Sequence, residues 1–464
     1  MSNTKARRRS TVVLACAAFG MLSFGVLAPA QAQVPAQGTY AFTNVNVIPM
    51  DSERVLENHS VVVEGGRITA VGPTASMSLP ASATEIDGTD KYLIPGIAEM
   101  HGHIPVSRAE AEDVLFLYVA AGATTVRGMQ GHPNQLEFRR AVQAGEIVGP
   151  RMWLAAPAMN GENVPDVATA ERLVREADAA GFDLLKVHSG LTREVYDAIA
   201  RTARAAGLPW GGHVSEHVGV AHALAAGQST IDHLDGYLIA MQPSGSPAFQ
   251  ANGAERNRLL ALHADESLIP ELARDTYEAG VAVVPTQKLW EVLRGARDSA
   301  TLEAQAENRY VSAGTRAEWA GRAAEIAQRT SREAALREAQ LRQQLLNAMH
   351  DASVTILMGT DAPQLYSVPG FSLYRELPLM VDAGMTPYEV LRTGTVDVAR
   401  HLGIEDQAGT IAEGKHADLL LLEGNPLEDV RAVARNAGVM VDGRWLATEV
   451  IRQRLERIAG NGGA

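Results

Sequence analysis

The chain has a single cysteine in 464 residues, Cys16, and it falls within the first 32. If that segment is removed, no thiol remains. Disulfides are then excluded, and cysteine can be neither nucleophile nor metal ligand. Basic charge is also scarce: 41 Lys and Arg face 54 Asp and Glu, for a net charge of −13. The first 32 residues hold Lys5, Arg7, Arg8 and Arg9 and no acid, so the remainder is more acidic still. An acidic surface repels phosphate backbones, which excludes nucleic acid as a partner and leaves a small-molecule substrate. There is no fibrous repeat and no long segment of disorder-type composition. With 46% hydrophobic and 20% charged residues, the chain reads as globular. Its length suits a barrel with an accessory domain, and a homo-oligomer stays open.

One apolar run stands out at the N-terminus, from Thr11 to about Pro29. Basic residues precede it and Ala30-Gln31-Ala32 follows, the small-x-small pattern that suits signal peptidase. Residues 1–32 are therefore expected to be a signal peptide. The protein is expected to be periplasmic or secreted, with no membrane association after processing. A membrane anchor is the competing reading, since the run is near the lower limit for a span; the cleavage pattern argues against it.

Short apolar alternations broken by turns run from Tyr40 to about Leu93, with a Gly65-Gly66 turn. Similar blocks return at Ala417–Leu422 and Gly438–Gly443. Neither end can bury a good core alone, so the two are expected to join in one small β domain. Between them eight strand candidates alternate with amphipathic helices: Tyr92–Met100, Thr124–Met129, Arg151–Ala156, Asp183–His188, Pro209–Val214, Ser229–Leu234, Val281–Gln287 and Val354–Gly359. The helical segments include Ala109–Ala121, Ala168–Ala180, Arg193–Ala206 and Gly219–Ala226. Gly122, Gly145, Gly181, Gly207, Gly227 and Gly280 follow helix ends, where glycine turns left-handed at little cost. Eight β-then-α units predict an α/β fold, a (β/α)8 TIM barrel. The expected division is a β-sandwich from 39–96 plus 404–455 around a barrel at 97–403. The segment Lys288–Asp351, poor in β-formers, predicts one or two inserted helices that either cover the catalytic face or form a solvated surface.

Chemistry in such barrels sits at the carboxyl ends of strands. The first strand ends in His101-Gly102-His103, and residues i and i+2 of a strand point the same way, so both imidazoles can grip one ion. Lys186 lies in an apolar strand, where an unpaired ammonium is costly. His213 and His233 end strands five and six, and Asp361 follows strand eight. Each alone is weak; together they are a metal site. His59, His132, His217, His222, His263, His350, His401 and His416 fall in predicted loops or helices and receive no role.

With these motifs in place, the chain resembles the amidohydrolase superfamily. Within it, the likeness is to the imidazolonepropionase-like branch that holds metal-dependent prolidases and ochratoxin-type amidases. Supporting phrases are Ile94-Pro95-Gly96, Ala123-Thr124-Thr125-Val126-Arg127, and Gly409-Thr410-Ile411 through Asp418. The resemblance implies a TIM barrel with a β-sandwich from both termini. It implies two divalent metal ions, zinc first among them, with manganese, cobalt and iron served by the same ligands. His101 and His103 would hold one ion and His213 and His233 the other. Lys186 would be N6-carboxylated and bridge both, and Asp361 would be ligand and general base for hydrolysis by metal-activated water. Glu99 departs from the aspartate of many relatives and is expected to support the ligands. His188, Tyr237 and Arg127 are candidate substrate contacts, with packing or ligand support as the alternative for each. The leading expectation is cleavage of a dipeptide-like or N-acyl amino acid bond. The alternatives are cyclic amide, imide, ester or lactone opening on the same site, and a non-catalytic metal- or solute-binding protein.

Overall fold

Alternating apolar residues near both ends of the chain build strands that meet in one sheet. The computed structural model describes residues 36–461, and the expected signal segment, residues 1–32, lies outside them. Five strands come first: β1 (Tyr40–Val47), β2 (Leu56–Glu64), β3 (Arg67–Pro73), β4 (Thr84–Asp87) and β5 (Tyr92–Pro95). Seven follow: β6 (Ile97–Gly102), β7 (Ala123–Gly128), β8 (Arg151–Leu154), β9 (Leu185–Val187), β10 (Trp210–Gly212), β11 (Thr230–Asp232) and β12 (Ala282–Val284). Late in the chain come β13 (Leu419–Leu422), β14 (Asn436–Val441) and β15 (Arg444–Ala447).

The first and last groups form an eight-stranded sheet, ordered β15-β14-β13-β5-β1-β2-β3 with β4 beside β1. The two ends join where β13 pairs antiparallel with β5, Leu421 opposite Leu93. Phe42, Val61, Ile68, Leu93, Leu419 and Met440 share one buried cluster, so both ends supply its core. Full burial of such side chains stabilises by roughly 1.5–3 kcal/mol each, and neither end has enough of them by itself.

The seven middle strands pair parallel, in the orders β6-β7-β8 and β9-β10-β11-β12. Single parallel bridges link the rest: Ala155 to Leu184, Val283 to Ile356, and Gly102 to Ala362. The hydrogen-bonded path therefore returns to β6. Helices separate the strands, and their ends follow the expected chemistry. Gly181, Gly207 and Gly227 cap helices in the left-handed conformation, at φ 82°, 71° and 73°.

Two expected strands differ. Tyr92–Met100 is two strands, broken at Gly96. Pro95 lacks an N–H, and a Cβ on Gly96 would stand 2.1 Å from Thr124 Oγ1, so the chain passes there from one sheet to the other. Val354–Gly359 forms only the bridge at Ile356. Its backbone does bond to both sides, Leu357 N to Val283 O at 2.9 Å and Met100 N to Met358 O at 2.8 Å, but the chain turns left-handed at Asp361 (φ 60°) before a ladder can lengthen. The inserted segment has two long helices, Ala313–Arg329 and Arg332–Asp351, after the shorter Gln287–Leu293 and Ser299–Glu303. Leu289, Val292, Leu302 and Trp319 pack against Leu365, Tyr366 and Val368 of the loop beyond Asp361. The insertion is thus tied to the loop that carries a predicted ligand.

Candidate metal centre

Strand period places Glu99, His101 and His103 on one side of β6 and its continuation. Glu99 is fully buried and joins two segments: one carboxylate oxygen accepts from His101 N at 2.9 Å and Thr360 N at 2.8 Å, the other from Thr360 Oγ1 at 2.6 Å. Burial pushes this carboxyl up to about 8, against the pull of those hydrogen bonds. Glu99 therefore holds the backbone of His101 in register with the residue before Asp361.

Five imidazoles run in line across the carboxyl ends. Ring centroids lie 5.6 Å apart for His103–His101, 4.5 Å for His101–His233, 4.7 Å for His233–His213 and 4.0 Å for His213–His188. So close a row disfavours charging. Burial lowers His101 to about 4 against the pull of Asp361, burial and then the neighbouring His213 lower His188 to about 4, and burial and then His101 hold His233 well below its usual value. Neutral imidazole is the ligand form. The Nδ1 atoms have partners: Asp232 Oδ2 for His101 at 2.7 Å, Asp235 Oδ2 for His213 at 3.0 Å and Thr286 Oγ1 for His233 at 2.8 Å. A partner on one ring nitrogen fixes the ring and leaves the other free.

Asp361 faces this row. Its Oδ1 is 2.9 Å from His103 Nε2 and 3.5 Å from His101 Nε2, and its Oδ2 is 3.6 Å from His233 Nε2. Burial works to raise its carboxyl, but His101, His103 and His233 more than offset that and hold it well below the usual range. The short contact with His103 lacks hydrogen-bond geometry: His103 Nε2, His233 Nε2 and Asp361 Oδ1 are all buried without a hydrogen-bond partner. Orphaned lone pairs of this kind are costly unless a cation takes them. His101, His103 and Asp361 each offer an atom within 4.8 Å of the others. Nitrogen with carboxylate oxygen suits a divalent metal, so these residues fit one. Lys186, 3% exposed, puts Nζ 3.2 Å from His101 Nε2, and burial lowers its ammonium below the ordinary lysine range.

Among the candidate substrate contacts, His188 alone belongs to the row, at its end, with its ring tilted against that of His213. Arg127 lies behind the site: it is 1% exposed, donates to Met100 O at 2.6 Å and Thr230 Oγ1 at 3.0 Å, and grips both oxygens of Asp232 at 3.1 and 3.0 Å. Its guanidinium has no face toward a substrate. Tyr237 is fully buried, with its hydroxyl 2.6 Å from Thr276 Oγ1, so the expected substrate contact is corrected there too. Sequence reasoning missed Asp232, Asp235, Thr286 and Arg342. Asp232 and Asp235 flank His233 in Asp232-His233-Leu234-Asp235, a cue that was available. Arg342, from the inserted helix, donates to His233 O at 2.6 Å and Pro285 O at 2.7 Å. It thereby holds the turn where His233 (φ 66°) and Thr286 (φ 45°) are left-handed.

Parallel strands whose carboxyl ends carry such a histidine–carboxylate cluster define a metal-dependent hydrolase. The sequence profile described as the Amidohydrolase family matches residues 92–446, and the chain belongs to that family, whose members act on carbon–nitrogen bonds. Two curated relatives are similar. An adenine deaminase of Rubrobacter xylanophilus is 24% identical over 90% of this chain, which spans 60% of that deaminase's length. An imidazolonepropionase of Idiomarina loihiensis is 24% identical over 82% of this chain and 90% of its own. Among solved structures, bottromycin amidohydrolase is 26% identical with a TM-score of 0.70, covering 92% of this chain and 91% of its own. These likenesses imply a TIM-barrel-like α/β fold.

Proposed function

We propose that this protein is an exported hydrolase of amide bonds in dipeptide-like or N-acyl amino acid substrates. The observation that carries the reading is the convergence of His103 Nε2, His233 Nε2 and Asp361 Oδ1, buried and unpartnered, beside His101 and Lys186. Similarity to bottromycin amidohydrolase across 92% of the chain supports an amide as the bond cut.

His101, His103 and Asp361 would hold one divalent ion, zinc by ligand type, and His213 and His233 a second. Bound there, the ions would supply Lewis acidity, lowering the pKa of water and polarising a carbonyl. Lys186, its amine favoured by burial, would add carbon dioxide and release a proton to become an N6-carboxylate, an anionic oxygen donor to both. Asp361, held ionised by its histidine neighbours, would accept the proton of the attacking water and return it to the leaving nitrogen. His188 flanks the second pair and would meet the substrate.

The finer architecture belongs to the same proposal. The returning hydrogen-bonded path supports closure into a (β/α)8 barrel over 97–403, and the shared core of the eight-stranded sheet supports a β-sandwich from 39–96 plus 404–455. Export rests on the Ala30-Gln31-Ala32 pattern and is checked by N-terminal sequencing of the mature protein.

The assay is turnover of N-acyl amino acids, Xaa-Pro dipeptides, cyclic imides and lactones by protein loaded with zinc and bicarbonate. Amides with a free carboxylate are expected to be cleaved. Turnover confined to lactones or cyclic imides, or none at full metal occupancy, rejects the reading.

A further inference from the structure

With Arg127 held by Asp232 and Tyr237 by Thr276, neither is free to hold the carboxylate of an N-acyl amino acid or dipeptide. A cavity of about 140 Å³ lies beside His233, walled by the Asp235–Tyr237 turn, Arg256, Trp290, Arg294 and Glu338. It is walled partly by the insertion. Since one water takes about 30 Å³, the cavity has room for a carboxylate and the few atoms that carry it.

Its polar groups are unbalanced. The acids on the wall are already served: Asp235 receives Val214 N at 3.2 Å and Gly236 N at 3.1 Å beside His213, and Glu338 receives Arg294 Nε at 3.0 Å. The donors are not. Trp290 Nε1 and Arg256 Nε are buried with no acceptor, although both Nη atoms of Arg256 grip Glu216, at 2.7 and 2.5 Å. Arg294 makes no second side-chain hydrogen bond among the described residues. Trp290 is also fixed in place. The guanidinium carbons of Arg294 and Arg342 lie 4.5 and 5.0 Å from its ring centre, and its ring centre is 6.1 Å from that of His233. A wall with two buried donors left over and a donor already on each of its acids selects a group that only accepts, and an ionised carboxylate is such a group.

We propose that this cavity is the subsite for the substrate's carboxylate, with Trp290 Nε1, Arg256 Nε and Arg294 as its donors. The inference rests on the functional reading above, in that it assigns the carboxylate of that substrate class. It also gives the insertion a role in selecting substrates.

The test uses metal-loaded protein and two probes without a scissile bond, 3-phenylpropanoate and the neutral 3-phenylpropan-1-ol, titrated by calorimetry. The acid is expected to bind about tenfold tighter than the alcohol. Trp290→Phe keeps the ring and removes the N–H. Arg294→Lys keeps a charge opposite Glu338 and removes the two guanidinium Nη groups. Each should weaken the acid about fivefold and leave the alcohol within about twofold. Equal affinity for acid and alcohol, or no binding of the acid, overturns the proposal. So does an acid preference unchanged in both variants, which is the result for a carboxylate resting on the metal ions. Failure of amide hydrolysis would reject the functional reading by a separate assay and leave these affinities interpretable.

Discussion

At the amino end of β8, Arg151 donates to Asp418 at 2.7 Å and to Asp442 at 2.9 Å, and nearby Arg139 pairs with Asp183 at 2.6 Å. At the carboxyl ends, His103, His233 and Asp361 leave buried atoms without partners, and the chain is left-handed at His233, Leu234, Thr286 and Asp361. The amino end borders the roomier cavity, about 740 Å³, lined by Arg139, Arg151 and Arg444. Volume therefore does not mark the site; unmet valence does. Matched charges serve stability, whereas orphaned atoms on a strained backbone persist because the surrounding structure holds them for a ligand.

Breaking the carboxyl end should cost activity. Asp361→Asn removes the proposed proton acceptor and ligand oxygen, and kcat/KM in the amide assay should fall about 10³-fold or more, within the range for general-base loss. A decrease below tenfold contradicts the assignment. Asp232→Asn should weaken metal binding about 10- to 100-fold, as loss of a ligand's hydrogen-bond partner does, measured by competition with a chelator. Arg127→Met should act in the same direction. If Arg127 instead touched substrate, KM would rise with metal affinity intact.

Breaking the amino end should cost stability alone. Arg151→Met should lower unfolding free energy by about 1–3 kcal/mol and leave kcat/KM within about twofold, as read by urea denaturation beside the amide assay. Loss of activity without loss of stability would erase the contrast.

The smallest effect is a pH dependence under the insertion. Glu376 is fully buried and accepts from Gln287 N at 2.7 Å and Lys288 N at 2.8 Å, yet burial raises its carboxyl to about 7 from an ordinary 4.5. A folded value above the unfolded one means its contribution is full below pH 4.5 and is lost as pH rises through 7. The urea midpoint should therefore fall from pH 5 to pH 8 by more in the wild type than in Glu376→Gln. An identical slope in both would remove Glu376 as the cause.

The sequence made the candidate cluster legible because strand period is local: His101 and His103 must share a side, and Lys186, His213 and His233 sit at predicted strand ends. Direction is harder to read when it depends on distant partners. Arg127 stands at a strand end, as a substrate contact would, but the carboxylate that captures it, Asp232, is 105 residues away. Tyr237 follows His233 closely, yet its hydroxyl is taken by Thr276 from a later helix. Both ends of the β domain were visible as alternations, and their union followed from too little core in either. The break at Gly96 was not visible, because it depends on the close approach of Thr124 from the neighbouring strand.

The most direct measurement is elemental analysis of protein prepared with zinc and bicarbonate, done in parallel with the amide assay. The account predicts about two ions per chain, fewer in Lys186→Ala, and turnover that disappears with a chelator and returns with metal. Undiminished turnover by protein stripped of divalent metal would contradict it.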